Sequence, residues 1–510
     1  MTDLLTHQWT VDLPSEAATE LLARDLAATL RAGDLVTLSG DLGAGKTAFA
    51  RALIREIAED PELEVSSPTF TLIQLYDTPV FPVVHADLYR IGHASELDEL
   101  GWDEAPDGAL VLVEWPEKAG ETLPADRLDI RFVHAGRSET ARRATLTGTG
   151  EWSSRLRRFS QTGDFLRHAG WQDASREHVQ GDASTRSYAR LRRGDSTIIL
   201  MNSPARTDRT PVRYGKTYSQ IAHISQDVKP FVAMAKGLTE RGFSAPQILK
   251  EDLLHGLLLL EDFGTDFIAE DNKPVAERYG VAIDLLARLH GMELPDTLPV
   301  ASAINHKIPP FDHGALDIEV ELLIEWYMPM IGAPQLSQRN RDHFTALWRS
   351  ALAPVVKGEQ SWLLRDVHSP NLMWLPQREG IKRIGLLDFQ DAMIGPPAYD
   401  VASLCLDARV SVDQELELQL LTRYVKARRG ADAAFDPAGF ARAYAVMAAQ
   451  RNTKLLGLFA RLDKRDGKPA YLKHIPRIRA YLDRALAHPT LADLREWFET
   501  FVFAIEAKMS

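Results

Sequence analysis

The stretch that decides the first half of this chain is Gly40-Asp41-Leu42-Gly43-Ala44-Gly45-Lys46-Thr47, a complete G-x-x-x-x-G-K-[ST] pattern. Its glycines let the backbone wrap a polyphosphate with the N–H groups turned inward, Lys46 reaches the terminal phosphates, and Thr47 is placed to ligate magnesium. The flanks supply the context that the pattern needs. Asp34–Ser39 is a short strand running into the loop, and Thr47–Glu59 continues as a helix whose positive N-terminal end faces the anion. Upstream, residues 14–32 form an amphipathic helix with Ser15 as its N-cap and Gly33 as its stop. Downstream, strands are predicted at Phe70–Tyr76, Val83–Leu88, Leu110–Trp115, Arg127–His134 and Ala144–Thr147. This gives a small α/β domain over 1–148, ending in a Gly/Ser-flanked basic linker at 149–160.

A second phosphate-handling pattern lies far downstream. In Leu364-Arg365-Asp366-Val367-His368-Ser369-Pro370-Asn371 a carboxylate and an amide lie five residues apart, and Asp388 follows in Gly385-Leu386-Leu387-Asp388-Phe389. Phosphoryl transfer to a hydroxyl needs a base near the acceptor proton and oxygen ligands for a metal that bridges the phosphates. Asp366 is assigned as that base, Asn371 and Asp388 as metal ligands, and His368 as a structural member of the loop. On the nucleotide side, the turn Gly181–Tyr188 brings Ser184, Thr185 and Arg186 toward ATP, and Leu257–Leu260 with Glu261 forms the adenine-side hinge. A β-rich lobe to about residue 265 and a helical lobe after it make residues 161–510 a two-lobed, kinase-like α+β domain. Glu325, Trp326, Arg451 and Lys454 are the polar and aromatic candidates for an acceptor pocket in the helical lobe, and Asp391 and Asp400 are expected to shape the loop.

Bulk properties bound the rest. With 510 residues the chain exceeds one ordinary core. One cysteine, Cys405, excludes an internal disulfide, and the apolar stretch around it makes it a core residue. No apolar run reaches the roughly 18 residues of a membrane span, and the N-terminus lacks a secretory pattern, so a cytoplasmic location is expected. Residues 1–150 carry 12 Lys and Arg against 26 Asp and Glu, whereas the remaining 47 and 45 nearly balance. So acidic a domain has no basic face with which to hold nucleic acid strongly; any role in RNA biology would run through a protein partner.

Two resemblances sharpen these readings. The first-half loop, Ser67–Leu72, His85–Arg90 and Val113–Glu117, in this order and spacing, resemble the ATPase subunit family (TsaE) of tRNA threonylcarbamoyladenosine biosynthesis. The resemblance spans residues 5–148. It implies a P-loop NTPase using ATP and magnesium. Thr47 and Asp87 would hold the metal, Ser67 and Thr69 would form a switch-like loop, and Glu114 would act in catalysis beside Trp115. Its partners would be the threonylcarbamoyl transferase subunit and its companion.

The second-half segments GDAS-x-R-x-Y, LLLEDFG, LRD-x-HSPNL-x-W and LLDFQDA-x-IGP-x-AYD resemble aminoglycoside-phosphotransferase-like kinases of the AmgK type. The resemblance implies ATP-dependent phosphorylation of the anomeric hydroxyl of N-acetylmuramate or N-acetylglucosamine, an amino-sugar substrate, in peptidoglycan recycling. Met201 stands where kinase-like enzymes usually carry a lysine, which is usual for this subgroup; Arg186 is a candidate for the missing charge. Two alternatives stay open: another acceptor (an aminoglycoside, a choline-like alcohol or a protein hydroxyl), or a non-catalytic nucleotide-binding module.

Overall fold

The computed structural model describes residues 6–92, 96, 106, 108–120, 122–136, 138–179, 186–208 and 210–509. The chain divides into two compact units, one of residues 1–182 with 187–198 and the other of 183–186 with 199–510.

The first unit is built on a seven-stranded sheet. Its strands are β1 (Thr6–Leu13), β2 (Leu35–Ser39), β3 (Ile73–Tyr76), β4 (Val83–Asp87), β5 (Leu110–Glu114), β6 (Leu128–His134) and β7 (Arg142–Thr149), in the order β1-β7-β6-β2-β5-β4-β3. The four central strands, β6-β2-β5-β4, run parallel, and β3, β7 and β1 close the edges in antiparallel pairs. The parallel strands are apolar on both faces: Val36, Leu38, Val83, Leu110, Leu112 and Ile130 are buried on one, and Leu35, Ala86 and Val113 on the other. Helices α1 (Glu16–Ala27) and α2 (Lys46–Ile57) pack on this sheet through Leu22, Leu26, Phe49, Leu53 and Ile54. Ser15 caps α1, its side chain accepting from the Ala18 N–H at 3.2 Å.

Residues 149–160, expected to be a linker, are instead mostly helical. Helix α3 (Glu151–His168) packs on β1 and β7 with Trp152 and Leu156 in the core. Arg155 pairs with Asp34 at 2.6 Å, Trp9 donates to Asp164 at 3.0 Å, and His7 bonds Ser160 at 3.0 Å. The basic cluster read as part of the linker thus supplies this helix's outer face and one ion pair. Edge strand β1 is a further difference. The predicted elements begin with the helix at residue 14, yet the alternation of His7, Trp9, Val11 and Leu13 pairs in register with β7.

The second unit is mostly helical. Strands β8 (Ile248–Asp252) and β9 (Leu257–Glu261) pair antiparallel, and β9 is buried except at its end. Helices α4 (Ala276–His290), α5 (His313–Leu322), α6 (Gln338–Val356), α7 (Ala398–Cys405), α8 (Gln414–Ala431) and α9 (Pro437–Lys464) form the bulk. Two short antiparallel ribbons, Ser361–Leu363 with Met393–Gly395 and Leu372–Trp374 with Ile384–Leu386, carry the loop of Asp366 and that of Asp388. The 28-residue α9 runs through the centre of the core. At Gly457 a Cβ would lie 2.2 Å from the Leu322 carbonyl carbon, so only glycine permits the approach of α9 to the end of α5. Among the described residues no helix is long and apolar enough to cross a membrane.

Candidate functional site

The first site lies at the C-terminal ends of the parallel strands, where an open α/β sheet leaves its crevice. β2 stops at Ser39 and α2 starts at Lys46, so residues 40–45 turn tightly between them. Gly40 has φ 134° and a Cβ there would meet the Phe132 carbonyl oxygen at 2.3 Å, which excludes any side chain. The Lys46 ammonium donates to the Gly40 and Asp41 carbonyls at 2.7 and 3.0 Å and stands 3.6 Å above the Trp115 ring. Burial pushes its pKa down, against the raising influence of Glu114, Glu117, Asp87 and Asp41. Trp115 holds φ 60°, a left-handed conformation that turns its ring over the loop directly after β5.

Asp87 and Glu114 end β4 and β5 as register partners. Thr47 donates to Glu114 Oε2 at 3.0 Å, while Glu114 Oε1 accepts from buried His85 Nε2 at 3.1 Å. Asp87 Oδ2 accepts from the hydroxyls of Ser67 at 2.5 Å and Thr69 at 3.1 Å, and its Oδ1 from the Tyr89 N–H at 3.0 Å. Gly43, Gly45, Lys46, Thr47, Ser67, Thr69, Asp87 and Glu114 line one cavity of about 420 Å³, with Gly40 behind it as an acceptor for Lys46. The hydroxyl of Thr47 bonds Glu114, whereas Asp87 is tied to the Ser67–Thr69 loop. Two contributors were missed. His85 opens one of the segments that carry the first resemblance, but no role was read for it there. Arg142 Nε and Nη2 donate to the Ala44 and Gly43 carbonyls at 2.7 and 3.0 Å from β7, about a hundred residues away.

The second site is held by carboxylates from outside its own loop. Asp400, on α7, accepts from the Leu364 and Arg365 N–H groups at 2.6 and 2.9 Å. Asp407 accepts from the Ser369 N–H at 2.6 Å and the Tyr279 hydroxyl at 3.0 Å. Between these clamps Arg365 takes φ 74° and turns Asp366 outward. Asn371 Nδ2 donates to the Asp366 carbonyl at 3.0 Å and lies 3.5 Å from Asp388 Oδ2. Asp388 Oδ1 accepts from Arg186 Nη1 at 2.9 Å and from Gln390 Nε2 at 2.8 Å. Asp366, Asn371, Asp388 and Arg186 are therefore brought together, and Met201 is buried. Ser184 and Thr185 lie outside the described residues.

Glu261 ends the hinge strand; its carboxylate pairs with Arg378 at 2.5 Å, and its N–H donates to the Gln247 carbonyl at 2.9 Å. His368 Nε2 lies 3.4 Å from Asn371 Nδ2, and burial pushes its pKa below the usual imidazole value, so it accepts as a neutral ring.

The acceptor-pocket candidates require a correction. Arg451 and Lys454 are buried beneath the loop, not displayed to a substrate. Lys454 pairs with Glu319 at 2.7 Å, and Arg365 pairs with the same carboxylate at 2.5 Å. Arg451 Nη1 donates to the Arg365 carbonyl at 3.0 Å and the Tyr399 hydroxyl at 3.2 Å, 3.7 Å from Asp366. Buried charge is retained only when paired, and these cations are spent on Glu319 and the loop. Burial alone would raise Glu319; Lys454 and Arg365 outweigh it and bring its pKa down to about 2. Burial likewise opposes ionisation of Asp366, yet Arg451, Lys454, His368 and Arg365 hold its pKa below the usual carboxylate range. Burial pushes Asp388 up, partly offset by Arg186. Glu325 is exposed and ion-paired to Arg341, and Trp326 is half-buried beside it in a π-helical turn, Leu323–Tyr327.

Comparison with known proteins agrees with this division. The family model for "Threonylcarbamoyl adenosine biosynthesis protein TsaE" matches residues 13–144, and that for "Phosphotransferase enzyme family" matches residues 176–438. An N-acetylmuramate/N-acetylglucosamine kinase of Caulobacter vibrioides is 37% identical over 355 residues, 66% of this chain and 95% of the relative. One of the same name from Pseudomonas aeruginosa is 30% identical over 334 residues, 64% of this chain and 89% of the relative. A tRNA threonylcarbamoyladenosine biosynthesis protein TsaE of Rickettsia bellii is 42% identical over 120 residues, 24% of this chain and 83% of the relative. The chain is thus a fusion that belongs to the TsaE family in its first part and, over most of its length, to the phosphotransferase enzyme family.

Proposed function

We propose that the chain is a bifunctional cytoplasmic enzyme. Residues 1–148 hydrolyse ATP in support of tRNA threonylcarbamoyladenosine formation, and residues 161–510 phosphorylate the anomeric hydroxyl of N-acetylmuramate or N-acetylglucosamine. The observation that carries the kinase reading is the convergence of Asp366, Asn371 and Asp388 on one loop pair clamped by Asp400 and Asp407. A decayed nucleotide-binding module has no reason to keep that arrangement.

The donor chemistry fits magnesium. Asn371 and Asp388 offer amide and carboxylate oxygens, and Thr47, Asp87 and Glu114 offer hydroxyl and carboxylate oxygens; these are the hard donors that magnesium takes alongside phosphate and water. Bound between these side chains and the phosphates, it would supply charge neutralisation. The chain's own groups do the rest. In the kinase half, Asp366 is ionised at neutral pH, accepts the sugar hydroxyl proton and orients that oxygen toward the γ-phosphorus; ADP leaves. Arg186 supplies positive charge in place of a lysine at Met201, leaving Asp388 as the nucleotide arrives. Arg451 and Lys454 act through the loop rather than on the sugar.

In the ATPase half, the loop N–H groups and Lys46 hold the phosphates, and Glu114, fixed by His85, orients the attacking water. Partners are a threonylcarbamoyl transferase subunit and its companion, engaged through protein contacts, in keeping with the acidic composition of residues 1–150. The test is incubation of the full chain with magnesium-ATP and a panel of sugars, aminoglycosides and choline, read by phosphorus NMR. An anomeric phosphate on an N-acetyl amino sugar is expected; a product only on another acceptor overturns the assignment.

A further inference from the structure

A cavity of about 510 Å³ opens in the helical lobe between the start of α7 and helices α8 and α9. Its wall is apolar where Pro396, Pro397, Phe435 and Phe440 face it; Asp432, Asp436 and Arg442 stand at its exposed rim, and its one buried charge is the guanidinium of Arg428. Arg428 is 4% exposed, and among the described residues its sealed Nε has no hydrogen-bond partner. Its Nη2 donates to the carboxylate of Glu359, whose side chain is 42% exposed. Its Nη1 donates to the Tyr424 hydroxyl at 3.0 Å.

The far side of Arg428 leads to the kinase loop. A guanidinium only donates, so Tyr424 accepts from Arg428 and turns its own O–H to His290 Nδ1, 2.9 Å away. That fixes His290 as the Nε2–H tautomer, with Nε2 lying 3.8 Å from Asp400 Oδ2, a contact of dipole with carboxylate too long for a hydrogen bond. Asp400 in turn accepts the N–H groups of Leu364 and Arg365, immediately before Asp366. The donors of Arg428 and Tyr424 run from the cavity to His290, and those of Leu364 and Arg365 run from the loop to Asp400, so the two sets meet at the His290–Asp400 contact. The cavity also touches Ala398, the first residue of the helix that carries Asp400.

We propose that this cavity binds a small carboxylate with an apolar or aromatic body, which takes Arg428 Nη2 from Glu359 and stiffens the catalytic loop through Tyr424, His290 and Asp400. The ligand chemistry is read from what is there. A carboxylate already sits on the guanidinium, it is partly exposed and thus displaceable, and the wall next to it is aromatic and proline-rich. A charge-assisted bond from Arg to carboxylate is favoured in such a desolvated place.

Phenylacetate is a suitable probe, titrated calorimetrically into the full chain. Saturable binding with a dissociation constant of roughly 0.1–1 mM is expected. Glu359→Gln, which frees the guanidinium without touching the catalytic loop, should bind about tenfold tighter, as the loss of a competing charge-assisted bond implies. Arg428→Lys, which keeps the charge and loses the fork, should bind more weakly. Affinity should persist with saturating magnesium-ADP, and amide exchange at Leu364 and Arg365 should slow on binding. Absence of saturation, equal affinity in the parent and Glu359→Gln, or displacement of the probe by ADP would overturn the site. Unchanged exchange at those two amides would overturn the link to the loop.

Discussion

The two phosphate sites obtain their positive charge in opposite ways. In the first, the cation is part of the loop: Lys46 follows the glycines, folds back on the Gly40 and Asp41 carbonyls, and rests on Trp115. In the second, the strand position that would carry a lysine holds buried Met201, and Arg186 reaches Asp388 instead. The first site can be read in eight consecutive residues. The second is assembled from segments more than two hundred residues apart and stabilised from behind by Asp400, Asp407 and the Glu319 cluster. Both lean on buried or distant residues, His85 and Arg142 in the first, but only the second takes its cation from a segment so far away.

Substitutions can break this comparison at graded strengths. The largest effect is expected for Asp366→Asn, which removes the proposed proton acceptor and should slow sugar phosphorylation by about 10²–10⁴-fold while ATP hydrolysis at the first site is unchanged. Lys46→Ala should do the reverse, with a loss of about 10²–10³-fold in hydrolysis measured by phosphate release. Glu319→Ala leaves Arg365 and Lys454 buried without their shared partner; unfolding of the second unit should become easier by about 3–5 kcal/mol, seen in denaturant titration. Arg186→Met should raise the KM for ATP in sugar phosphorylation roughly tenfold with Arg186→Lys in between, a contrast that a merely structural arginine would not produce.

The smallest effect concerns pH. Burial, with Arg409, Arg477 and Lys473 nearby, pushes His474 down to about 4. In the unfolded chain that imidazole takes up its proton near 6.5, so its contribution favours the folded state above that value and is lost as pH falls from 6.5 toward 4. Glu319 acts in the same direction at lower pH, its contribution disappearing between about 4.5 and 2. His474→Gln should flatten the decline in melting temperature between pH 6.5 and 4 relative to the parent chain.

How far the sequence could be read follows the same contrast. Strand, loop and helix around Lys46 were legible because phosphate geometry demands glycines, lysine and threonine at fixed spacing. The carboxylates at the ends of β4 and β5 were legible because each closes an apolar run. The loop of Asp366 was legible for the same reason of local spacing. What escaped was built across distance. Arg142 reaches the loop from β7, His85 orients Glu114 from inside a strand, and the exposed alternation of β1 was too polar to stand out beside the helix that follows. Arg451 and Lys454 were conspicuous by type, yet a one-dimensional reading could not tell a cation facing solvent from one buried against Glu319. Helix α3 misled for the related reason that Gly, Ser and Arg resemble a linker until Trp152 and Leu156 find a core.

The central claim is that one chain holds two separately disposable phosphate chemistries. The most direct measurement assays Asp366→Asn and Lys46→Ala side by side, following anomeric phosphate on N-acetylmuramate or N-acetylglucosamine by phosphorus NMR and ATP hydrolysis without sugar. The account predicts a crossed result, each substitution removing one activity and sparing the other. Loss of both activities in either variant, or retention of sugar phosphorylation in Asp366→Asn, would contradict it.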